Sequence, residues 1–191
     1  VATKFLPIAP AEPIVARQAA GSLRRLGVDS LDLYYAHWPN PFVSVRRTMQ
    51  SLRPLVADGL VRRVGVSNYD LGRWQEAERT LRAPVVANQV RFSLGSPGPA
   101  ADLVPYAAAM GRVVVAYSPL GQGALAREAP VDGDRPRGFR ATNPLLRSSA
   151  GERLAPLRAA LREIAAAHGA TPAQVALAWV VGHPNTVAIP G

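Results

Sequence analysis

The sequence predicts an α/β fold built on a parallel sheet, either an open doubly wound sheet or a closed barrel. Short runs rich in Val, Ile, Leu and Tyr alternate with longer segments of helical periodicity. The first five of these runs start roughly 25–30 residues apart, which is the length of one βα unit. Alternating βα units require parallel strands with right-handed crossovers. The length of 191 residues suits one domain, so we expect residues 1–191 to form a single domain.

The predicted strands are near-continuous apolar runs, as parallel strands buried on both faces should be. Each run is short and is bounded by Gly, Pro or polar residues, which separates it from a buried helix. The six segments that meet this description are Val1–Lys4, Leu31–His37, Arg62–Val66, Pro84–Gln89, Arg112–Tyr117 and Thr186–Ile189.

The predicted helices occupy the gaps between the strands, and several have start or stop signals. A glycine at position 27 suits a helix C-terminus, and Pro54 is expected to kink or shorten its helix. Capping boxes are predicted at Ser149–Glu152 and Thr171–Gln174, and a Pro/Gly/Arg-rich loop at Ala124–Asn143. The helical segments are Glu12–Leu26, Ser44–Ala57, Leu71–Leu81, Ala101–Met110, Leu154–Ala167 and Val175–Val181.

The composition excludes several classes of protein. The chain has 22 Lys and Arg against 13 Asp and Glu, a formal net charge of +9, but the arginines are spread over several helices without a basic run. We therefore predict no nucleic-acid partner. No apolar run approaches the ~18 residues of a membrane span, and the start of the sequence does not resemble a signal peptide. With no Cys present, we predict neither disulfides nor a metal site, and a cytoplasmic location.

One glycine motif tests the open-sheet alternative. Residues Gly121–Ala126 formally match G-x-G-x-x-A after a predicted strand. Pro119 lies in the turn, however, and no strand returns within the ~30 residues that a dinucleotide-binding βαβ unit requires. We therefore do not interpret this motif as a dinucleotide-binding fingerprint of an open sheet.

Polar residues follow five of the six predicted strands. In a βα barrel the C-terminal ends of the strands converge on the face that carries the active site. A Lys can change the pKa of a neighbouring acid, and a neutral His can donate a hydrogen bond to a carbonyl oxygen. Ser, Asn and Gln together can bind a primary amide, and Tyr offers a flat aromatic face, so the set suits nicotinamide. These strand ends are Lys4, His37, Ser67-Asn68, Asn88-Gln89 and Tyr117-Ser118.

Seven segments carry a recognisable pattern when their order and spacing are considered together. They are Ser22–Asp29, Leu31–Pro39, Gly65–Asn68, Asn88-Gln89, Ala116–Gly123, Thr171–Trp179 and Ile189–Gly191. In these segments the chain resembles the aldo-keto reductase superfamily of NADPH-dependent βα-barrel oxidoreductases. The sequence looks most similar to bacterial members, and 21 Arg against one Lys indicates a GC-rich genome.

The resemblance implies a reaction and roles for ten residues. The family transfers a hydride from NADPH to the carbonyl carbon of an aldehyde or ketone. By resemblance, Lys4 is the lysine that lowers the pKa of the catalytic Tyr, and His37 orients and polarises the carbonyl. Ser67, Asn68 and Gln89 match the residues that bind the carboxamide. Tyr117 matches the residue that stacks on the nicotinamide. The segment that wraps the pyrophosphate contains Ser118, Leu120, Gln122 and Gly123.

The sequence also departs from the family pattern. The family's catalytic Tyr and Asp come from two βα units that precede the strand ending in Lys4, and this sequence lacks those units. The segment that binds the 2′-phosphate and adenine, after Ile189–Gly191, is absent too. Tyr34 and Tyr35 are not expected to replace the Tyr, since they lie within a strand. We therefore expect a partial (β/α)8 TIM barrel of about six βα units, a fragment that is inactive by itself.

Two alternatives to a reductase remain open from the sequence. The chain could belong to a non-catalytic nicotinamide-nucleotide-binding or regulatory protein of the same fold, or be a truncated inactive product. No function is assigned to His168 or His183, and the rings of Trp74 and Trp179 are expected in the core or at an interface.

Overall fold

The computed structural model describes residues 1–125, 145 and 148–190, without the side chains of residues 148–152. In this part of the chain, six strands form one sheet in sequence order, β1-β2-β3-β4-β5-β6. The pairs β1–β2, β2–β3 and β3–β4 are parallel, as predicted. The strands are β1 Ala2–Phe5, β2 Leu33–Ala36, β3 Val64–Ser67, β4 Val85–Arg91, β5 Val113–Tyr117 and β6 Thr186–Ile189.

Helices lie between these strands in the described residues. They are α1 Glu12–Leu26, α2 Val45–Gln50, α3 Arg53–Ala57, α4 Leu71–Leu81, α5 Leu103–Met110, α6 Ser148–Ala167 and α7 Pro172–Val181, with short 3-10 turns at Gly98–Ala100 and Gly121–Gly123. The bounds predicted for α1, α4 and β6 are confirmed. The end of α1 follows from Gly27, whose φ of 65° allows its N–H to reach the Leu23 carbonyl.

Pro54 divides the segment predicted as one helix into α2 and α3. The Ser44 hydroxyl caps α2 by accepting a hydrogen bond from the Arg47 N–H at 3.2 Å. Pro54 lies in the first turn of α3, where its missing N–H costs no helical hydrogen bond. The predicted interruption of this helix is therefore confirmed.

Two helices, α6 and α7, begin earlier in the chain than predicted, whereas α2 and α5 begin one and two residues later. The capping box of Thr171 and Gln174 is confirmed, with reciprocal bonds of 3.2 and 2.8 Å, but α7 begins at Pro172 and not Val175. A capping-box Thr is itself the N-cap, so the helix starts at the next residue. Likewise α6 begins at Ser148 and not Leu154. The side chains of the other predicted box, and residues 126–143 of the predicted loop, lie outside the described residues.

The chain divides into two compact units. The first comprises residues 1–90 and 106–114, and the second comprises residues 91–105 and 115–191. The core of the first unit includes the fully buried Tyr34 and Trp74, the latter as predicted. The core of the second includes Leu125, Leu154, Leu161 and Ala176. That residues 1–191 form a single partial barrel domain stays a prediction.

The described residues contain neither a single long apolar helix nor a cluster of metal-ligating side chains. No single helix there is long and apolar enough to cross a membrane; α6 and α7 together meet the length and composition requirement only as a pair bent by 96°. No group of three or more His, Asp or Glu in the same residues is placed to hold a metal ion.

Candidate active site

The register of the sheet places four of the predicted site residues on one face. Lys4 pairs with Tyr35, which pairs with Gly65. Ser67 pairs with Gln89. Paired residues point to the same face, and so do residues two apart in one strand. Lys4, His37, Ser67 and Gln89 therefore share a face at the C-terminal ends of β1 to β4. With Asn68, which follows β3, we refer to these residues as the strand-end group.

Lys4 lies over an aromatic ring. Its Nζ is 5.6 Å from the centroid of the Tyr35 ring, within the range of a cation–π contact. The ring has room because residue 65 is Gly, where an added Cβ would come within 2.5 Å of Tyr35 Cε1. Gly65 and its neighbour in the sheet, Tyr35, thus help to position the side chain of Lys4.

The two tyrosines of β2 are buried and remain neutral. Burial raises the pKa of Tyr35 to about 12 and raises the pKa of Tyr34 further. Tyr35 is 4% exposed and Tyr34 is fully buried, with its hydroxyl oxygen shielded from solvent. This supports the prediction that neither residue supplies the catalytic proton.

His37 directly follows β2 and is held against β1. Its backbone N–H donates to the Phe5 carbonyl at 3.1 Å, which continues the ladder, and its ring lies 4.9 Å from that of Trp38. The pKa of the imidazole is lowered, first because burial disfavours the charged form and second because the Lys4 ammonium repels it. His37 is therefore a neutral imidazole at pH 7, able to donate one hydrogen bond and accept another.

Ser67, Asn68 and Gln89 are joined by hydrogen bonds. The buried Ser67 hydroxyl donates to the Gln89 carbonyl at 2.8 Å and accepts from Asn68 Nδ2 at 3.2 Å. Asn68 has a φ of 59°, and its N–H donates to the same carbonyl at 2.9 Å. Asn tolerates this left-handed conformation better than most residues do. The conformation turns the chain at the end of β3 and leaves the Asn68 side chain exposed.

Asn88 differs from its neighbour Gln89, although both follow the apolar part of β4. Asn88 pairs with Val66 and so points to the opposite face from Gln89. Its Nδ2 donates to the Tyr69 carbonyl at 2.8 Å, and the residue is fully buried. Asn88 therefore ties β4 to the chain before α4, a structural role for a residue to which the resemblance assigned none.

Four of the five remaining predicted residues line a cavity in the second unit, and the fifth, Gly123, lies next to Gln122 in the chain. The cavity has a volume of about 440 Å³, within the range of small-molecule sites. Its lining includes Ile189, the last residue of β6, and Pro190, which follows it. Both belong to a segment that carried the resemblance, but neither was assigned a role. The other lining residues are Tyr117, Ser118, Pro119, Leu120 and Gln122. We refer to Tyr117, Ser118, Leu120, Gln122 and Gly123 as the turn group.

The backbone of the turn group is bonded largely to itself. The N–H of Gly121 donates to the Ser118 carbonyl at 2.9 Å, and the N–H groups of Gly123 and Leu125 donate to the Leu120 carbonyl at 3.1 and 3.3 Å. Ser118 and Gln122 have φ values of 51° and 59°. The turn thus has a defined shape, whereas its contact with a pyrophosphate stays a prediction.

Two aromatic contacts in the second unit were not foreseen. The Arg91 guanidinium lies 5.9 Å from the centroid of the Tyr117 ring, so one face of the ring predicted to stack on nicotinamide is near a cation. Trp179 is half-buried and packs with Phe92 and His183, whose rings lie 5.2 and 4.5 Å away. His183 Nδ1 is 2.8 Å from the Trp179 carbonyl oxygen, a structural contact that needs no catalytic role.

Known proteins similar to this chain include reductases. An uncharacterized oxidoreductase of Mycobacterium tuberculosis is 46% identical over 191 residues, which are 100% of this chain and 59% of that protein. The methylglyoxal reductase YeaE of Escherichia coli is 38% identical over 170 residues, 88% of this chain and 51% of that protein. The chain thus spans little more than half the length of these relatives.

Solved structures and a family model agree with these relatives. A crystal structure of an aldo-keto reductase from Klebsiella pneumoniae in complex with NADPH has a TM-score of 0.71 at 32% identity, covering 99% of this chain and 58% of that one. Such neighbours are (β/α)8 barrels, of which this chain covers part, so the predicted fold class is confirmed. The model described as "Aldo/keto reductase family" matches residues 11–191. The chain therefore belongs to the aldo/keto reductase family of oxidoreductases.

Proposed function

We propose that this chain is the central and C-terminal portion of a reductase that transfers a hydride from NADPH to the carbonyl of an aldehyde or ketone. The observation that carries the proposal is the common face of the strand-end group. Lys4, His37, Ser67 and Gln89 lie at or near the C-terminal ends of four consecutive parallel strands, and the register of these strands puts them on one face. A packed sheet has no structural need for this set of polar side chains at one edge.

The side chains suit a nicotinamide cofactor. The carboxamide of nicotinamide has one acceptor oxygen and two N–H donors, and the amides of Asn68 and Gln89 offer both kinds of partner. Ser67 acts mainly on these neighbours, since its hydroxyl already bonds to both. The half-buried Tyr117 ring, beside a cavity of about 440 Å³, offers an aromatic surface. Bound NADPH supplies the hydride that reaches the carbonyl carbon.

Lys4 and His37 act on the carbonyl oxygen. The neutral His37 imidazole donates a hydrogen bond to it and so fixes the orientation of the carbonyl. The Lys4 ammonium supplies positive charge where negative charge develops, and lowers the pKa of a nearby acid. Tyr34 and Tyr35 stay protonated and buried, so the acid is a residue outside this chain. We infer that the chain alone is inactive.

The test measures binding and turnover separately. The 191-residue chain and the full-length protein are titrated with NADPH, and each is assayed for NADPH oxidation with a panel of aldehydes and ketones. We expect turnover by the full-length protein only. Clear aldehyde-dependent oxidation by the chain alone would contradict its inactivity. Failure of the full-length protein to bind NADPH at all would contradict the proposed function.

A non-catalytic nucleotide-binding or regulatory role is the second candidate. It is favoured by one observation, the burial of Tyr34 and Tyr35 in the strand next to Lys4. NADPH binding by the full-length protein without turnover of any carbonyl compound would support this reading.

A truncated inactive product is the third candidate, and failure of the chain to unfold in a cooperative thermal transition would support it. We also propose a bacterial source and a cytoplasmic location, which cell fractionation tests.

A further inference from the structure

A different cavity of the first unit is lined mainly by arginines. It has a volume of about 560 Å³ and lies between α4 and the pair α2 and α3. Ligand sites typically have 300–1,000 Å³, so this space suits a small molecule better than a single ion. Its charged lining residues are Arg46 of α2, Arg53 of α3, and Glu76, Arg79 and Arg82 of α4 and its C-cap.

The charges of this cavity are unbalanced. Four guanidinium groups face one carboxylate, a net charge of +3. Within the described residues, none of the four arginines forms a salt bridge. The helix dipole favours cations near the end of α4, but it does not account for Arg46 and Arg53, which lie at the starts of their helices. The fold therefore concentrates positive charge here without a counter-charge of its own.

Arg53 is fixed across the groove. Its Nη2 donates a hydrogen bond to the Thr80 carbonyl of α4, and the side chain is half-buried. A guanidinium has five N–H donors, so this bond leaves others for a ligand. Because the side chain is already ordered, little conformational entropy is lost when an anion binds.

Arg82 adopts a backbone conformation that disfavours arginine. It is the C-cap of α4 with a φ of 57°, a position at which Gly is usual because a Cβ is strained there. The capping bond, from the Arg82 N–H to the Glu78 carbonyl, needs no side chain. An arginine here lowers stability compared with glycine, so a function of its side chain would explain its presence.

We propose that this arginine-lined cavity binds a small anion that carries two or more phosphate groups. The planar guanidinium matches a phosphate through two parallel hydrogen bonds. Four guanidinium groups, from three helices, can bind several anionic groups at once. A ligand with two or more phosphates therefore fits this cavity better than a single phosphate. The volume of about 560 Å³ accommodates an oligophosphate.

The test uses tripolyphosphate as the probe and calorimetry at physiological salt. We expect the double variant Arg46→Gln/Arg79→Gln to weaken tripolyphosphate binding at least about tenfold, since each substitution removes charge-assisted hydrogen bonds. The control, Arg17→Gln/Arg24→Gln, removes the same charge from exposed positions of α1 and should change binding less than about twofold.

A second variant separates an effect on ligand binding from an effect on folding stability. Arg82→Gly should raise the melting temperature by a few degrees, because it relieves the strained C-cap, and yet weaken tripolyphosphate binding. Equal losses in the cavity and α1 variants would overturn the proposal, as would no binding by the unaltered protein. Equal affinity for inorganic phosphate would overturn the requirement for two phosphates. Tighter binding of a single-stranded oligonucleotide that depends on both sets of arginines would identify a general polyanion surface instead.

Discussion

The strand-end group and the turn group are held in place by different interactions. The strand-end group is aligned by the hydrogen-bonded register of β1 to β4, which shifts once between Val64 and Gly65, and within the group only Asn68, which follows β3, has a positive φ. The turn group depends on the shape of one loop, in which Ser118 and Gln122 adopt positive φ. The comparison teaches that the first group is positioned mainly by the pairing of neighbouring strands. The second group depends more on the backbone conformation of its own residues.

Lys4→Met should have the largest effect, because it changes chemistry without changing the register. In the full-length protein we expect kcat to fall about 10²–10⁴-fold, the range for loss of acid–base assistance, with NADPH affinity nearly unchanged. Steady-state kinetics and an NADPH titration measure the two effects. Arg17→Met, on the exposed face of α1, is the control. Near-normal turnover by Lys4→Met would refute the role given to the lysine.

Gly65→Ala tests the packing that positions the lysine. The new Cβ would lie 2.5 Å from the buried Tyr35 ring, so we expect a loss of about 1–3 kcal/mol in the free energy of unfolding. The control is Gly72→Ala in α4, where an added Cβ would lie 3.6 Å from Asp70 Oδ1, an ordinary van der Waals contact. That variant should gain about 0.5–1 kcal/mol from helix propensity. Denaturant unfolding measures both, and equal effects would contradict the argument.

Ser118→Val applies the corresponding test to the turn group. A β-branched residue at a φ of 51° should cost about 1–2 kcal/mol in the free energy of unfolding. Ser118→Gly adopts the same φ without strain and should be neutral or slightly stabilising. Thermal unfolding compares the two variants. If both are equally destabilising, the hydroxyl of Ser118 matters and its φ does not.

The titration of His37 should show the smallest effect. Its pKa is lowered in the folded protein, so the unfolded chain binds a proton more readily. Stability should therefore be complete above the unfolded pKa of about 6.5 and fall as the pH drops below it. NMR should place the imidazole pKa below 6.5 in the unaltered protein. Lys4→Met should raise this pKa only in part, because burial is the larger cause. An unchanged pKa would show that the Lys4 charge does not reach the ring.

Several boundaries of the fold were predictable from a local physical signal in the sequence. Gly27 ends α1, Pro54 separates α2 from α3, and Thr171 caps α7, each through its own backbone or side-chain chemistry. The start of α6 was predicted wrongly, since Ser149–Glu152 has the residue types of a cap but lies within the helix. Local signals therefore located elements better than they located ends.

The sequence by itself determined the alternation of βα units and the family, because both depend on residue types in order along the chain. It also determined which polar side chains follow the strands. Only the tertiary structure decided that Gln89 shares a face with Ser67 whereas Asn88 is buried beneath Tyr69. The physical reason is that the face of a strand residue depends on the pairing register, and register is set by the neighbouring strands rather than by the residue.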